Sequence, residues 1–178
     1  MNNKYIALTC AIALGALCTA CSIASYPYGY KAPLNKETTV IYYSQNHSTK
    51  SAALAIAARQ NSSICELTED GSDGNKCALT LAKYKYVIVG SPAFNNKVSD
   101  VVAKFFKNNN LDDKTVIPFA IYTSFDNMKP STFEDNVDEL LPNSSIRGFE
   151  SFVFNPVMQK DDYYKFIEYL YTLDKITK

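Results

Sequence analysis

The chain has 178 residues, 47% of them hydrophobic and 13% aromatic, which suits one domain with an ordinary core and excludes disorder as the default. Its 18 Lys+Arg balance 18 Asp+Glu at a formal net charge of +0, so no basic footprint for nucleic acid is present.

Residues 1–4 are polar with one cation, Lys4; residues 5–17 are an apolar run; small residues then precede Cys21. That is the layout of an export signal. An apolar run of about thirteen residues is short for a hydrocarbon layer of roughly 30 Å, which argues against a permanent membrane helix. The segment Leu17-Cys18-Thr19-Ala20-Cys21 resembles the bacterial lipobox, with Cys18 where that motif usually has Leu. The resemblance implies cleavage after residue 20, diacylglycerol on Cys21, and a protein held to the cell envelope, facing the periplasm or the cell surface. Residues 21–36, with Tyr26-Pro27-Tyr28-Gly29-Tyr30 and Pro33, lack helical or strand periodicity and read as a tether. The domain proper is expected over 37–178.

Of five cysteines, Cys10 and Cys18 leave with the leader and Cys21 carries lipid, so Cys65 and Cys77 remain in the domain. In an oxidising compartment they are candidates for a disulfide across a short polar loop, contributing about 3 kcal/mol. The alternative is two reduced thiols, at least one packed as a small hydrophobe.

From residue 38 short β-branched and aromatic runs alternate with longer amphipathic stretches, the pattern of parallel strands crossed over by helices. Strands are expected at 38–44, 63–67, 86–90, 115–123 and 149–154. Helices are expected at 48–60, 75–81 (weak), 98–108, from Ser131 to the stop at Pro142, and from about Asp161 onward. Ser131 and Glu134 have capping-box spacing. Five strands, each followed by a helix, predict an α/β three-layer, doubly wound parallel five-stranded sheet of order 2-1-3-4-5.

In such sheets ligands bind beyond the carboxyl ends of the strands where the order reverses. Three loops converge there, at 44–50, 91–99 and 122–130. The first reads Ser44-Gln45-Asn46-His47-Ser48-Thr49-Lys50 between an apolar strand and an Ala-rich helix. This resembles the flavodoxin family, whose pattern is Ser-x-Thr-Gly-x-Thr. Ser44 and Thr49 match the outer hydroxyls, Asn46 replaces Thr, and His47 replaces Gly. The likeness extends over about 38–178 through Tyr86-Val87-Ile88-Val89-Gly90-Ser91-Pro92, Val116-Ile117-Pro118-Phe119 and Leu140-Leu141-Pro142-Asn143-Ser144.

The resemblance implies a flavodoxin-like fold and noncovalent FMN, held at its phosphate by hydroxyls and backbone N–H groups at a helix start. The implied cofactor residues are Ser44, Asn46, His47, Ser48 and Thr49 for the phosphate loop, with Ser91, Pro92, Phe94 and Tyr122 around the ring; Phe125 is a further aromatic candidate. The cofactor loops also depart from the family. His47 stands for Gly, Asn95-Asn96 for a frequent Trp-Gly, and 122–130 has no Gly. Asn tolerates the left-handed backbone region best among non-glycines.

Two functions therefore stand open. One is an envelope-anchored FMN protein that transfers electrons or reduces a small acceptor such as a quinone, working with a redox partner. The other is the same fold without FMN, acting as a non-enzymatic envelope binding lipoprotein. No metal is expected, because His47 is the only histidine and lacks suitably spaced ligands. Hydrolysis is disfavoured, since no Gly-x-Ser-x-Gly elbow is present.

Overall fold

A computed structural model describes residues 35–45, 47–71, 81–124, 126, 128–153 and 160–177. The leader, Cys21, the tether as far as residue 34, Asn46, Cys77, Phe125 and all but the end of the helix expected at 75–81 lie outside them. Strand β1 is Asn35–Tyr42, β2 Ser62–Glu66, β3 Tyr86–Phe94, β4 Lys97–Val98, β5 Thr115–Tyr122, β6 Ser145–Ile146 and β7 Glu150–Val153. Helices are α1 Ser48–Gln60, α2 Asp100–Asn108, α3 Pro130–Leu140 and α4 Lys160–Ile176, with a 3₁₀ turn at Leu81–Lys83.

The sheet runs β2-β1-β3-β5-β6, with β7 also parallel to β5. With the small β4 set aside, and β6 and β7 counted as one interrupted strand, this is the expected 2-1-3-4-5 order. Both sheet faces are buried, as parallel sheets require. Val40 and Tyr42, Ile88, and Ile117, Phe119 and Ile121 face the cluster built with Ala53, Ile56, Phe166 and Leu173 of α1 and α4. Alternate residues Ile41, Val87, Val89, Val116, Ala120 and Tyr122 face Val102, Phe105, Phe133 and Val137 of α2 and α3. The period of two in the strands thus sorts side chains into two separate cores.

Two glycines shape this arrangement. Gly90 lies opposite Phe119 in the β3–β5 register, and a Cβ there would come 2.2 Å from Phe119 Cζ. Its bare Cα lets the aromatic ring pass over the central strand. Gly148, at φ +63, lies between β6 and β7, where a Cβ would meet Ile176 Cδ1 at 2.6 Å. The fifth strand is therefore interrupted at 147–149, where the chain takes a left-handed step beside α4.

Three local details differ from the sequence-based expectation. Strand β1 starts at Asn35, because the Asn35 amide donates to Asn61 O at 2.8 Å and joins the start of β2. Strand β3 continues past Gly90 to Phe94, since Ser91 and Pro92 still pair with Ala120 and Ile121. The Ser131–Glu134 capping box does not form: Pro130 occupies the first turn of α3, and Lys129 is the cap residue without a side-chain cap bond. Proline has no amide to satisfy there, so the helix begins one residue early.

Candidate functional site

Strands β1, β3 and β5 end side by side, with Tyr42 opposite Gly90 and Pro92 opposite Ile121. The start of α1 and the turns after β3 and β5 consequently share the carboxyl edge of the sheet.

At the first turn, His47 adopts φ 66 and ψ −12, the conformation that glycine takes without cost, and its side chain is exposed. His47 provides no side-chain cap, and the first turn of α1 has no acidic residue. Ser44 Oγ instead accepts the Lys50 amide at 3.1 Å. Among the described residues, the Ser48 and Thr49 amides have no hydrogen-bond partner. Thr49 is fully buried, and its Oγ1 also lacks one. A buried hydroxyl without a partner costs about 1–3 kcal/mol. Its position beside two undonated amides at a helix start matches what a phosphate group would satisfy. Among the described residues, the Ser48 and Thr49 donors that the resemblance implies for FMN therefore fit a phosphate here.

Next to this turn, Lys50 Nζ pairs with Glu66 Oε2 at 3.0 Å, and the Tyr42 hydroxyl donates to the same oxygen at 3.0 Å. Burial, then the hydrogen bond to Glu66 and its charge, holds the Tyr42 phenol well above its ordinary acidity range. Lys50 is thus neutralised by Glu66, and the electropositive character of the turn comes from backbone dipoles.

After β3 the chain makes a two-residue hairpin into β4, with Ala93 paired to Val98 and Phe94 to Lys97. Asn95 and Asn96 sit at its tip with φ 49 and φ 60. Positive φ at both central residues is the primed turn whose twist matches antiparallel strands, and Asn suits it. The Asn-Asn pair was therefore a legible hairpin signal. A two-residue β4 was too short to register as a strand. Ser91 Oγ accepts the Ser99 amide at 2.9 Å and donates to Pro92 O at 2.8 Å, while Ser99 Oγ accepts the Val102 amide and caps α2. Ser91 and Pro92 are buried at the root of the hairpin.

A cavity of about 210 Å³ opens between Ala93, Asn95 and Asn96 of the hairpin and Tyr122, Thr123, Ser124 and Asp126 of the third loop. Ser124 Oγ donates to Asp126 Oδ2 at 3.0 Å and accepts the Asp126 amide at 3.0 Å, which folds the loop on itself. Tyr122 is 5% exposed and packs in the α2–α3 core, yet its hydroxyl makes no hydrogen bond. Burial raises its phenol above the ordinary range. Phe94 is 48% exposed and is not among the residues that line the cavity.

Of the residues read from sequence as cofactor-binding, Ser44, His47, Ser48 and Thr49 come together at α1, and Tyr122 lines the cavity. Phe94 ends β3 exposed and outside the cavity lining, Ser91 and Pro92 lie buried in the same strand, and Asn46 falls outside the described residues. Sequence reasoning missed Asn96, Ser124 and Asp126 as cavity residues. Among the described residues, no group of three or more His, Cys, Asp or Glu could hold a metal ion.

This topology, with a helix-start turn and a cleft at the carboxyl edge, defines a flavodoxin-like α/β fold. Solved structures share it. A WrbA-like flavodoxin from Agrobacterium tumefaciens superposes with a TM-score of 0.61 at 19% identity, covering 79% of this chain and 96% of that one. Oxidised flavodoxin 2 from Bacillus cereus gives 0.59 at 16% identity, covering 78% and 98%. A flavoprotein in complex with FMN from Lactobacillus acidophilus NCFM gives 0.54 at 17% identity, covering 65% and 93%. No protein-family model matches the sequence, and no curated protein matches it.

Proposed function

We propose that the domain binds FMN noncovalently at the carboxyl edge of its sheet and transfers electrons, or reduces a small acceptor such as a quinone, at the cell envelope. The carrying observation is Thr49: a fully buried hydroxyl without a partner, next to the undonated amides of Ser48 and Thr49. A phosphate would satisfy all three, and Ser44 would keep the turn in shape through Lys50. Asn46, where the family pattern has Thr, would offer a side-chain amide in place of a hydroxyl. The flavin ring would enter between the hairpin and the third loop, with Phe94 able to cover one face. Bound FMN supplies the electron chemistry; the protein's share is to orient the ring, exclude water and set its surroundings. The fold likeness to a flavoprotein crystallised with FMN supports this reading.

One observation favours the second reading, a flavin-free binding lipoprotein. Tyr122 packs into the core instead of standing free for stacking, and the cavity carries the Asp126 carboxylate. Titrating the purified protein with FMN separates the two. Quenched flavin fluorescence and a shifted visible band at low micromolar FMN support the first; no change at tens of micromolar leaves the second.

Attachment through lipid on Cys21 belongs to the same proposal, as does a disulfide between Cys65 and Cys77. Cys65 is 2% exposed at the edge strand β2, and its proposed partner lies outside the described residues. Cys21→Ser is expected to move the protein from the membrane fraction to the soluble fraction. Denatured, unreduced protein carrying that substitution is expected to show no free thiol from the Cys65–Cys77 pair.

A further inference from the structure

We propose that Asn96 and Asn136 act as a two-point clamp that ties the β3–β4 hairpin to α3 and so sets the width of the cleft for a flat heteroaromatic ring. Asn96 Oδ1 accepts the Lys129 amide at 2.6 Å, and Asn136 Oδ1 accepts the Val98 amide at 3.2 Å. The two bonds run in opposite senses. One reaches from the hairpin tip to the residue that caps α3, and the other from the second turn of α3 back to β4.

Their placement gives the clamp its meaning. Asn95 and Asn96 form one wall of the cavity, and Tyr122, Thr123, Ser124 and Asp126 form the other. The hairpin ladder has two residue pairs, Ala93 with Val98 and Phe94 with Lys97, and the Ser99 amide on Ser91 Oγ fixes its root. The bonds to α3 act at β4 and at the tip, the part such a short ribbon holds least well. Asn96 bridges from one wall to Lys129, just beyond the opposite loop, so opening the cleft requires that bond to break. Val98 is buried in the α2–α3 core, and Asn136 anchors its amide there.

Asn also explains why glycine can be absent. At φ 60, Asn96 supplies the turn conformation and at the same time an acceptor that glycine lacks. Both asparagines are positioning residues: they act on a ligand through the backbone they hold. The identity of the ring rests on the FMN reading; the clamp does not.

The test uses Asn96→Gly, which keeps the positive φ and removes the acceptor, and Asn96→Asp, which keeps both. Amide hydrogen exchange is measured on ligand-free protein, and FMN affinity is measured by fluorescence on the same samples. Asn96→Gly is expected to speed Lys129 exchange roughly fivefold or more and to weaken FMN by about fivefold, the scale of one neutral hydrogen bond. Asn96→Asp is expected to stay near wild type in both. Asn136→Ala is expected to speed Val98 exchange in the same way. Unchanged Lys129 exchange in Asn96→Gly would overturn the clamp, and so would an Asn96→Asp variant as perturbed as Asn96→Gly. Faster exchange with unchanged FMN affinity would overturn its role in the cleft. Wild-type protein that binds no FMN, yet shows the exchange pattern, would sink the flavin reading and leave the clamp standing.

Discussion

Ser44 Oγ accepts the Lys50 amide at 3.1 Å, so α1 is capped from outside its own cap position, while the intervening Ser48 and Thr49 amides stay undonated. In most helices the residue at the cap itself accepts from the second or third amide. Here that position is His47, whose side chain makes no such bond, and the turn is left as an anion cradle.

Thr49→Val replaces the buried hydroxyl with a methyl of similar size. Because Oγ1 has no partner, the ligand-free protein is expected to be as stable as wild type or more so by about 1 kcal/mol. FMN affinity is expected to fall about tenfold, since the lost group bonds only when phosphate is present. Denaturant unfolding without ligand and a flavin titration check the two halves.

His47→Gly removes a left-handed non-glycine residue. The penalty for that conformation is roughly 1–2 kcal/mol, partly offset by the larger entropy glycine loses on folding. Chemical denaturation is expected to show a net gain of about 0.5–1 kcal/mol. A loss would mean the exposed imidazole makes a stabilising contact at this turn.

Much of the fold was readable from residues alone, and the exceptions share a cause. Helix α1 runs over 48–60 as its pattern indicates, and the continuous apolar runs at 86–90 and 115–123 mark strands buried on both faces, the second ending at Tyr122. The requirement for glycine at 148, in the break of the fifth strand, was not readable, because the Cβ it excludes would meet Ile176 of the distant α4. Likewise, Ser131 with Glu134 satisfies a local capping rule, but Pro130 starts the helix first. At the site, the resemblance pointed to Ser44 and Thr49, which the fold brings to the start of α1, and set Asn95-Asn96 only against a frequent Trp-Gly. The turn at Asn95-Asn96 is a local signal, but the Asn96 bond to Lys129 joins residues thirty-three apart in sequence. Local patterning cannot encode such pairs.

Gly90→Ala tests the packing that holds the sheet's centre. The added Cβ would fall 2.2 Å from the Phe119 ring, which is itself fully buried, so neither side has room to yield. A loss of about 2–3 kcal/mol is expected in denaturant unfolding, at the upper end for one inserted methyl.

Alkaline pH offers a separate check. Tyr42 has its phenol raised above the ordinary value of 10.0 by burial, by its hydrogen bond to Glu66 and by that residue's charge. The folded state therefore holds this proton more tightly than the unfolded state. The resulting stability is fully present below about pH 10 and is lost as pH rises above it. Tyr122 and Tyr169, raised mainly by burial, act in the same direction. Tyr42→Phe is expected to lose less stability than wild type between pH 9 and pH 11, as followed by urea midpoints. An equal or steeper decline in the variant would show that Tyr42 does not carry the linkage.

A phosphate-bearing flavin in the proposed site would occupy both the cradle at Thr49 and the cleft beside Asn96. A paired titration of the purified protein with FMN and with riboflavin, which has the same ring and no phosphate, tests this directly. Saturable quenching by FMN at low micromolar concentration and at least tenfold weaker binding of riboflavin are expected. Equal affinity for the two, or no binding of either at tens of micromolar, would contradict this placement.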